Sequence, residues 1–151
     1  MIIEVKPIGV IHSPQKEARS PRTGTKSETV CDIELYEEYE PGFKDIDGFS
    51  HLVVAYNFHQ SRDYSLLVKT PWDDVLHGLF ATRSPNRPNS IGICVVSLLS
   101  REGRFLTVKG LDAIEGSPLL DIKPYIPDLK QGEEIKLGWL EGKIGLDRGN
   151  D

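Results

Sequence analysis

The sequence predicts a mainly β fold: a small closed or nearly closed β-barrel with one short helix and long proline-rich loops. Three observations carry this expectation. Short runs of alternating apolar and polar residues recur along the chain, turns marked by glycine and proline separate them, and no regular exchange of strands with long helices is present. A set of short strands loses its exposed edges by closing on itself, so a barrel is expected over a flat open sheet.

Taken in order, Ile3, Val5, Ile8 and Val10 alternate with polar or small residues, as do Cys31, Ile33 and Leu35, and both segments are expected to form half-buried strands. Between residues 36 and 46, Tyr36, Tyr39 and Phe43 fall at helical spacing, while Pro41 and Gly42 keep the helix short. Residues 51–58 and 91–99 are denser apolar runs that predict strands buried on both faces. Arg101-Glu-Gly103-Arg stands between two β-prone runs and predicts a hairpin over residues 98–111. No repeat or linker divides the chain. One domain is expected over residues 1–146, with a frayed polar tail at 147–151.

At 151 residues and 38% hydrophobic content, the chain is long enough to bury a core without staples. Its formal net charge of -5 argues against coating nucleic acid by bulk charge, so any such contact must be local. Cys31 and Cys94 lie far apart in strand-like surroundings, which fits free thiols in a reducing, cytoplasmic setting; the spacing also permits one disulfide. The start of the chain lacks a basic, then apolar leader, and no apolar run reaches the roughly 18 residues of a membrane span.

Gly78-Leu-Phe-Ala-Thr-Arg83-Ser-Pro-Asn-Arg87-Pro-Asn-Ser-Ile-Gly92 carries the most chemical information. Ser84 and Arg87 each precede a proline and are biased toward extended backbone. In a polyproline II conformation the alpha carbons of Arg83 and Arg87 would stand about 12 Å apart, with both guanidiniums presented to anionic groups. Residues 75–101 hold three arginines and no acid, although the chain as a whole is acidic. The same residues would also make an ordinary surface turn with solvated arginines. Seven of the ten prolines stiffen three loops, around residues 14–21, 85–88 and 118–127. They either preorganise binding loops or mark the turns of a β protein.

His12, His51, His59 and His77 show no metal-ligand spacing, there is no Cys-x-x-Cys, and neither a nucleophile elbow nor a phosphate-binding P-loop is present, so no metal is expected. What remains is three strand exits: Asn57-Phe58-His59-Gln60, the arginine loop, and Leu111-Asp112-Ala113-Ile114-Glu115. His59 also fits a structural role, and Asp112 and Glu115 fit solvated loop acids.

Four segments together resemble the ordered signature of the TsaA-like family, also called TrmO: Pro14 through Gly24, residues 48–60, residues 78–92, and Leu111-Asp112 through Asp121-Ile-Lys123-Pro-Tyr125-Ile-Pro127. The resemblance implies a β-barrel methyltransferase that uses S-adenosylmethionine to methylate N6 of a threonylcarbamoyl-modified adenosine beside the tRNA anticodon. It further implies a homodimer with the cofactor near the subunit interface. By position, the family's cofactor pocket would draw on Pro21, Arg22, Thr23, Gly24, Thr25, His59, Gln60, Arg83, Cys94, Val95, Asp112, Ala113, Ile114 and Glu115. For the reaction so implied, Asp121, the Asn86 or Asn89 amide oxygens and backbone carbonyls are candidates to accept the N6 proton, and Tyr125 to stack on the base. Arg19, Arg87 and Lys123 are candidates for tRNA phosphates, together with Lys16, Arg22 and Lys26. Larger bacterial members resemble this chain with an extra C-terminal domain. A cofactor-binding sensor without transferase activity is the main rival, and a metal-free hydrolase or lyase acting on a small anion is the second.

Overall fold

The computed structural model describes residues 1–17 and 28–144. Eight strands follow in chain order: β1 Gly9–His12, β2 Val30–Leu35, β3 His51–Asn57, β4 Leu67–Thr70, β5 Asp73–Gly78, β6 Ile91–Glu102, β7 Phe105–Lys109 and β8 Ser117–Pro124. Six of them close an antiparallel barrel in the order β1-β2-β7-β6-β3-β8, and β4 and β5 form a separate hairpin.

Period-two alternation fills the barrel. Ile11, Ile33, Leu52, Val54, Leu106, Val108 and Leu119 point inward and are fully buried. Phe43 joins this cluster at one end, and Leu111 and Ala113 at the other. The expected hairpin around Gly103 is present as the β6–β7 pair, with Gly103 at φ 59.

Two expectations are corrected, and the expected short helix is present in 3-10 form. Residues 1–6 are exposed and form no strand. The expected helix is a 3-10 turn, Glu37–Phe43, because Pro41 lies inside it and removes a backbone donor. Three further 3-10 turns, of three residues each, occur among the described residues, at Ile46–Gly48, Leu79–Ala81 and Gly138–Leu140. Finally, β3 and β6 are not buried on both faces. A barrel strand has an inside and an outside, and the outward residues Ile91, Ile93 and Val95 are 42%, 64% and 47% exposed. No helix among the described residues is long and apolar enough to cross a membrane.

Candidate functional site

The C-terminal ends of β1, β3 and β7 and the N-terminal ends of β2, β6 and β8 share one rim of the barrel. The three strand exits singled out in the sequence meet there. The first two are stitched together at Ser90, whose carbonyl accepts from the Asn57 amide side chain at 3.0 Å and from the Phe58 backbone N–H at 2.9 Å. The Ser61 and Ser90 hydroxyls lie 2.6 Å apart, and the Arg62 N–H donates to Asn86 Oδ1 at 2.8 Å. The third exit is tied in from below. Tyr56 donates its hydroxyl to the Asp112 carbonyl at 2.7 Å, and Cys94 Sγ donates to the Gly110 carbonyl at 3.3 Å.

Tyr56 is buried, which pushes its hydroxyl well above the ordinary tyrosine range, so it is a fixed donor. Its ring needs Gly92 across the β3–β6 pair, where a Cβ would stand 2.5 Å from the ring carbon Cζ. Burial likewise pushes the Cys94 and Cys31 thiols up, and both are free. Neither is a thiolate nucleophile at neutral pH. Arg83 is exposed at this rim, and its charge opposes the effect of burial on both Tyr56 and Cys94.

Glu115 anchors the exit of β1. Its carboxylate accepts from the Ser13 N–H at 3.0 Å and lies 3.2 Å from His12 Nδ1, while its own N–H donates to the Gln15 carbonyl at 2.7 Å. Partial burial works against the charged form, but the Ser13 N–H and His12 outweigh it and hold the carboxyl below its usual range. The carboxylate therefore stays ionised at neutral pH. Asp112 is half-buried, and Ala113 and Ile114 are buried.

The arginine loop is closed on itself by Arg87. It begins with the 3-10 turn Leu79–Ala81, and Arg87 Nη1 turns inward to donate to the Thr82 and Ser84 carbonyls, each at 3.0 Å. Those carbonyls have no strand partner, and the arginine satisfies them. His59, Gln60 and Asn89 are exposed near the rim. Cys94 and Val95 lie on opposite faces of β6, so one chain presents only Cys94 to the barrel interior.

Asp121, Lys123 and Tyr125 stand elsewhere, on the outer wall. Asp121 faces Ala55 and Lys123 faces Val53 across the β8–β3 pair, with the Tyr125 N–H on the His51 carbonyl toward the far end. Lys123 Nζ lies 3.8 Å from Asp121 Oδ2. Arg19, Pro21, Arg22, Thr23, Gly24, Thr25 and Lys26 lie outside the described residues, as does the tail at 147–151. Among the described residues, no group of three histidines, cysteines or acids could hold a metal ion.

A latch at the base of the arginine loop has no signature in residue spacing. Trp139 stacks on His77 with centroids 3.7 Å apart, and its Nε1 donates to the Ala81 carbonyl at 2.9 Å. Asp73 joins it, lying 3.0 Å from His77 Nε2 and 2.6 Å from Lys143 Nζ. The Lys143 ammonium first, and His77 second, hold the Asp73 carboxyl down at about 2. A depressed carboxyl stabilises the latch fully above about pH 4 and loses that contribution as pH falls through its folded value. Acidification from pH 4 to 2 is therefore expected to free Trp139, read as a change in its fluorescence in a Trp72→Phe background. The same step persisting after Asp73→Asn would refute this origin.

A family model described as the tRNA-methyltransferase O N-terminal domain matches residues 10–131. The chain belongs to this family. A TrmO crystal structure from Pseudomonas aeruginosa superposes with a TM-score of 0.74 at 31% identity, covering 92% of this chain and 63% of that one. A probable S-adenosyl-L-methionine-binding protein of Archaeoglobus fulgidus is 46% identical over 142 residues, which is 93% of this chain and 39% of that protein. A mouse protein named tRNA (adenine(37)-N6)-methyltransferase is 33% identical over 141 residues, covering 87% of this chain and 33% of its own length. The chain thus spans less than two thirds of the length of each of these three TrmO-related proteins.

Proposed function

We propose that the protein is an S-adenosylmethionine-dependent methyltransferase acting on N6 of the threonylcarbamoyl-modified adenosine at tRNA position 37. The rim carries this reading: it holds an exposed arginine whose charge, like that of Asp112, acts on Tyr56 and Cys94, together with an ionised Glu115, in a chain of the TrmO family. Such a rim offers an anion grip and carboxylates at one end of the barrel, which fits a ligand with a carboxylate, a ribose and a sulfonium. When bound, S-adenosylmethionine supplies the electrophilic methyl group.

Arg83 would hold the carboxylate of that group and Asp112 or Glu115 its ribose hydroxyls or cationic part, with Ala113, Ile114 and the inner face of β6 as the apolar wall. His59, Gln60 and residues 21–25 would complete the pocket. In the transfer the N6–C bond forms as the S–C bond breaks, and the N6 proton passes to an acceptor, so alignment matters more than a strong base. Asp121 and Asn89 are the proposed acceptors and Tyr125 the proposed stacking partner. Arg19, Arg87 and Lys123 would meet phosphates.

Asp121, Lys123 and Tyr125 reach such a site most simply from a second copy. Ile93, Ala55 and Asp121 lie side by side across β6, β3 and β8, and Val95, Val53 and Lys123 form the next row. An exposed apolar wall of this kind favours burial against another copy. A homodimer would therefore place one subunit's outer wall against the other's rim. A tRNA substrate makes the cytoplasm the compartment of this reading.

Incubation of the protein with methyl-labelled S-adenosylmethionine and bulk tRNA tests it. The expected product is N6-methylated nucleoside at position 37, absent when the tRNA lacks the threonylcarbamoyl group. Tight cofactor binding with no transferred label would leave a sensor instead.

A further inference from the structure

We propose that Phe80 and Arg87 form a stacking platform for an unpaired nucleobase flanking the target adenosine, a site that rests on the tRNA reading above. Phe80 is 73% exposed, although the backbone that carries it is held on every side. Its neighbour Leu79 is buried, and the Leu79 N–H donates to the Leu66 carbonyl at 2.9 Å. Thr82 returns both its N–H and its hydroxyl to the Leu79 carbonyl, at 3.1 and 2.7 Å, and the Ala81 carbonyl accepts from Trp139. A large aromatic ring is thus displayed to solvent from a rigid turn, with little entropy left to lose on binding.

The ring does not stand alone. The Arg87 guanidinium carbon lies 5.8 Å from the Phe80 centroid, and the two carbonyl bonds at Nη1 fix that guanidinium in place. Arg83 follows three residues after Phe80, and no acid occurs between residues 75 and 101. An aromatic face in an acid-free, arginine-bearing loop matches a single-stranded nucleic acid, where bases stack and phosphates meet cations. An acidic loop or an aliphatic rim would have matched an apolar protein segment instead. The platform sits on the same loop as Arg83, so a base stacked there would be a neighbour of the reacting adenosine.

Phe80→Ala, Phe80→Leu and Phe80→Trp separate stacking from bulk. Affinity for an anticodon stem-loop RNA should fall roughly 5- to 100-fold in the alanine variant, the range for one lost base stack. Leucine should fail nearly as badly, since it fills space without a π face, and tryptophan should bind like the wild type. S-adenosylmethionine affinity and the oligomeric state by light scattering should be unchanged in all three. RNA affinity preserved in Phe80→Ala would overturn the platform while leaving the tRNA reading intact. A changed oligomeric state would overturn it by assigning the ring to an interface between copies. Wild-type protein that binds S-adenosylmethionine but no RNA would bring down the tRNA reading and the platform together.

Discussion

Arg83→Ala is expected to weaken S-adenosylmethionine binding about 10- to 100-fold, the cost of losing one hydrogen-bonded charge partner at ~1.5–3 kcal/mol. Arg83 is exposed, so its removal leaves no cavity, and the fold should keep its stability within about 0.5 kcal/mol. Isothermal titration of the cofactor, paired with thermal denaturation of the same sample, separates the two effects. Arg83→Lys should recover only part of the affinity, because an ammonium supplies the charge but not the two-pronged geometry that grips a carboxylate. An unchanged dissociation constant in the alanine variant would remove Arg83 from the proposed pocket.

Gly9→Ala should be the most destabilising single methyl group that can be added to the barrel. A Cβ at that position would stand 2.2 Å from the Glu34 carbonyl oxygen and 3.1 Å from the Leu35 Cα. Both are backbone atoms of the adjoining strand, so no side-chain rotation relieves the clash. β1 has only four residues and is the strand that joins β2 to β8. Pushing it away opens the ring. A loss of about 3 kcal/mol or more is expected, at the top of the overpacking range, which lowers the melting temperature by roughly 6–12 °C. Gly48→Ala is the matched control, since nothing lies within 4 Å of its added Cβ. Equal melting temperatures for the two variants would contradict the closed packing at Gly9.

Much of the barrel was legible because period-two alternation is a local signal. Cys31, Ile33 and Leu35 announce one buried face, and β2 presents it. Density misleads where a wall is apolar on both sides: residues 91–99 read as doubly buried, yet Ile93 and Val95 face outward. The β4–β5 hairpin gave no sequence signal. Leu66, Leu67, Val75 and Leu76 are all exposed, so their pattern records no core to pack against. At the site, the three strand exits were readable from polar residues following apolar runs. Tyr56 was not, since a tyrosine within an apolar strand looks like core, although the glycine that faces it at position 92 was an available clue. The turned-in Arg87 and the Trp139 stack depend on which carbonyls and rings the fold leaves without partners, and spacing along the chain does not record that.

Ring closure also sets the order of events during synthesis. Gly9 pairs with Leu119, so among the six barrel strands the first made waits for the last. Until Ser117–Pro124 has left the ribosome, β1 and β3 each keep an edge open to foreign strands. A pause in translation before codon 117 would hold the nascent chain in its most aggregation-prone form, and chaperone demand should peak there.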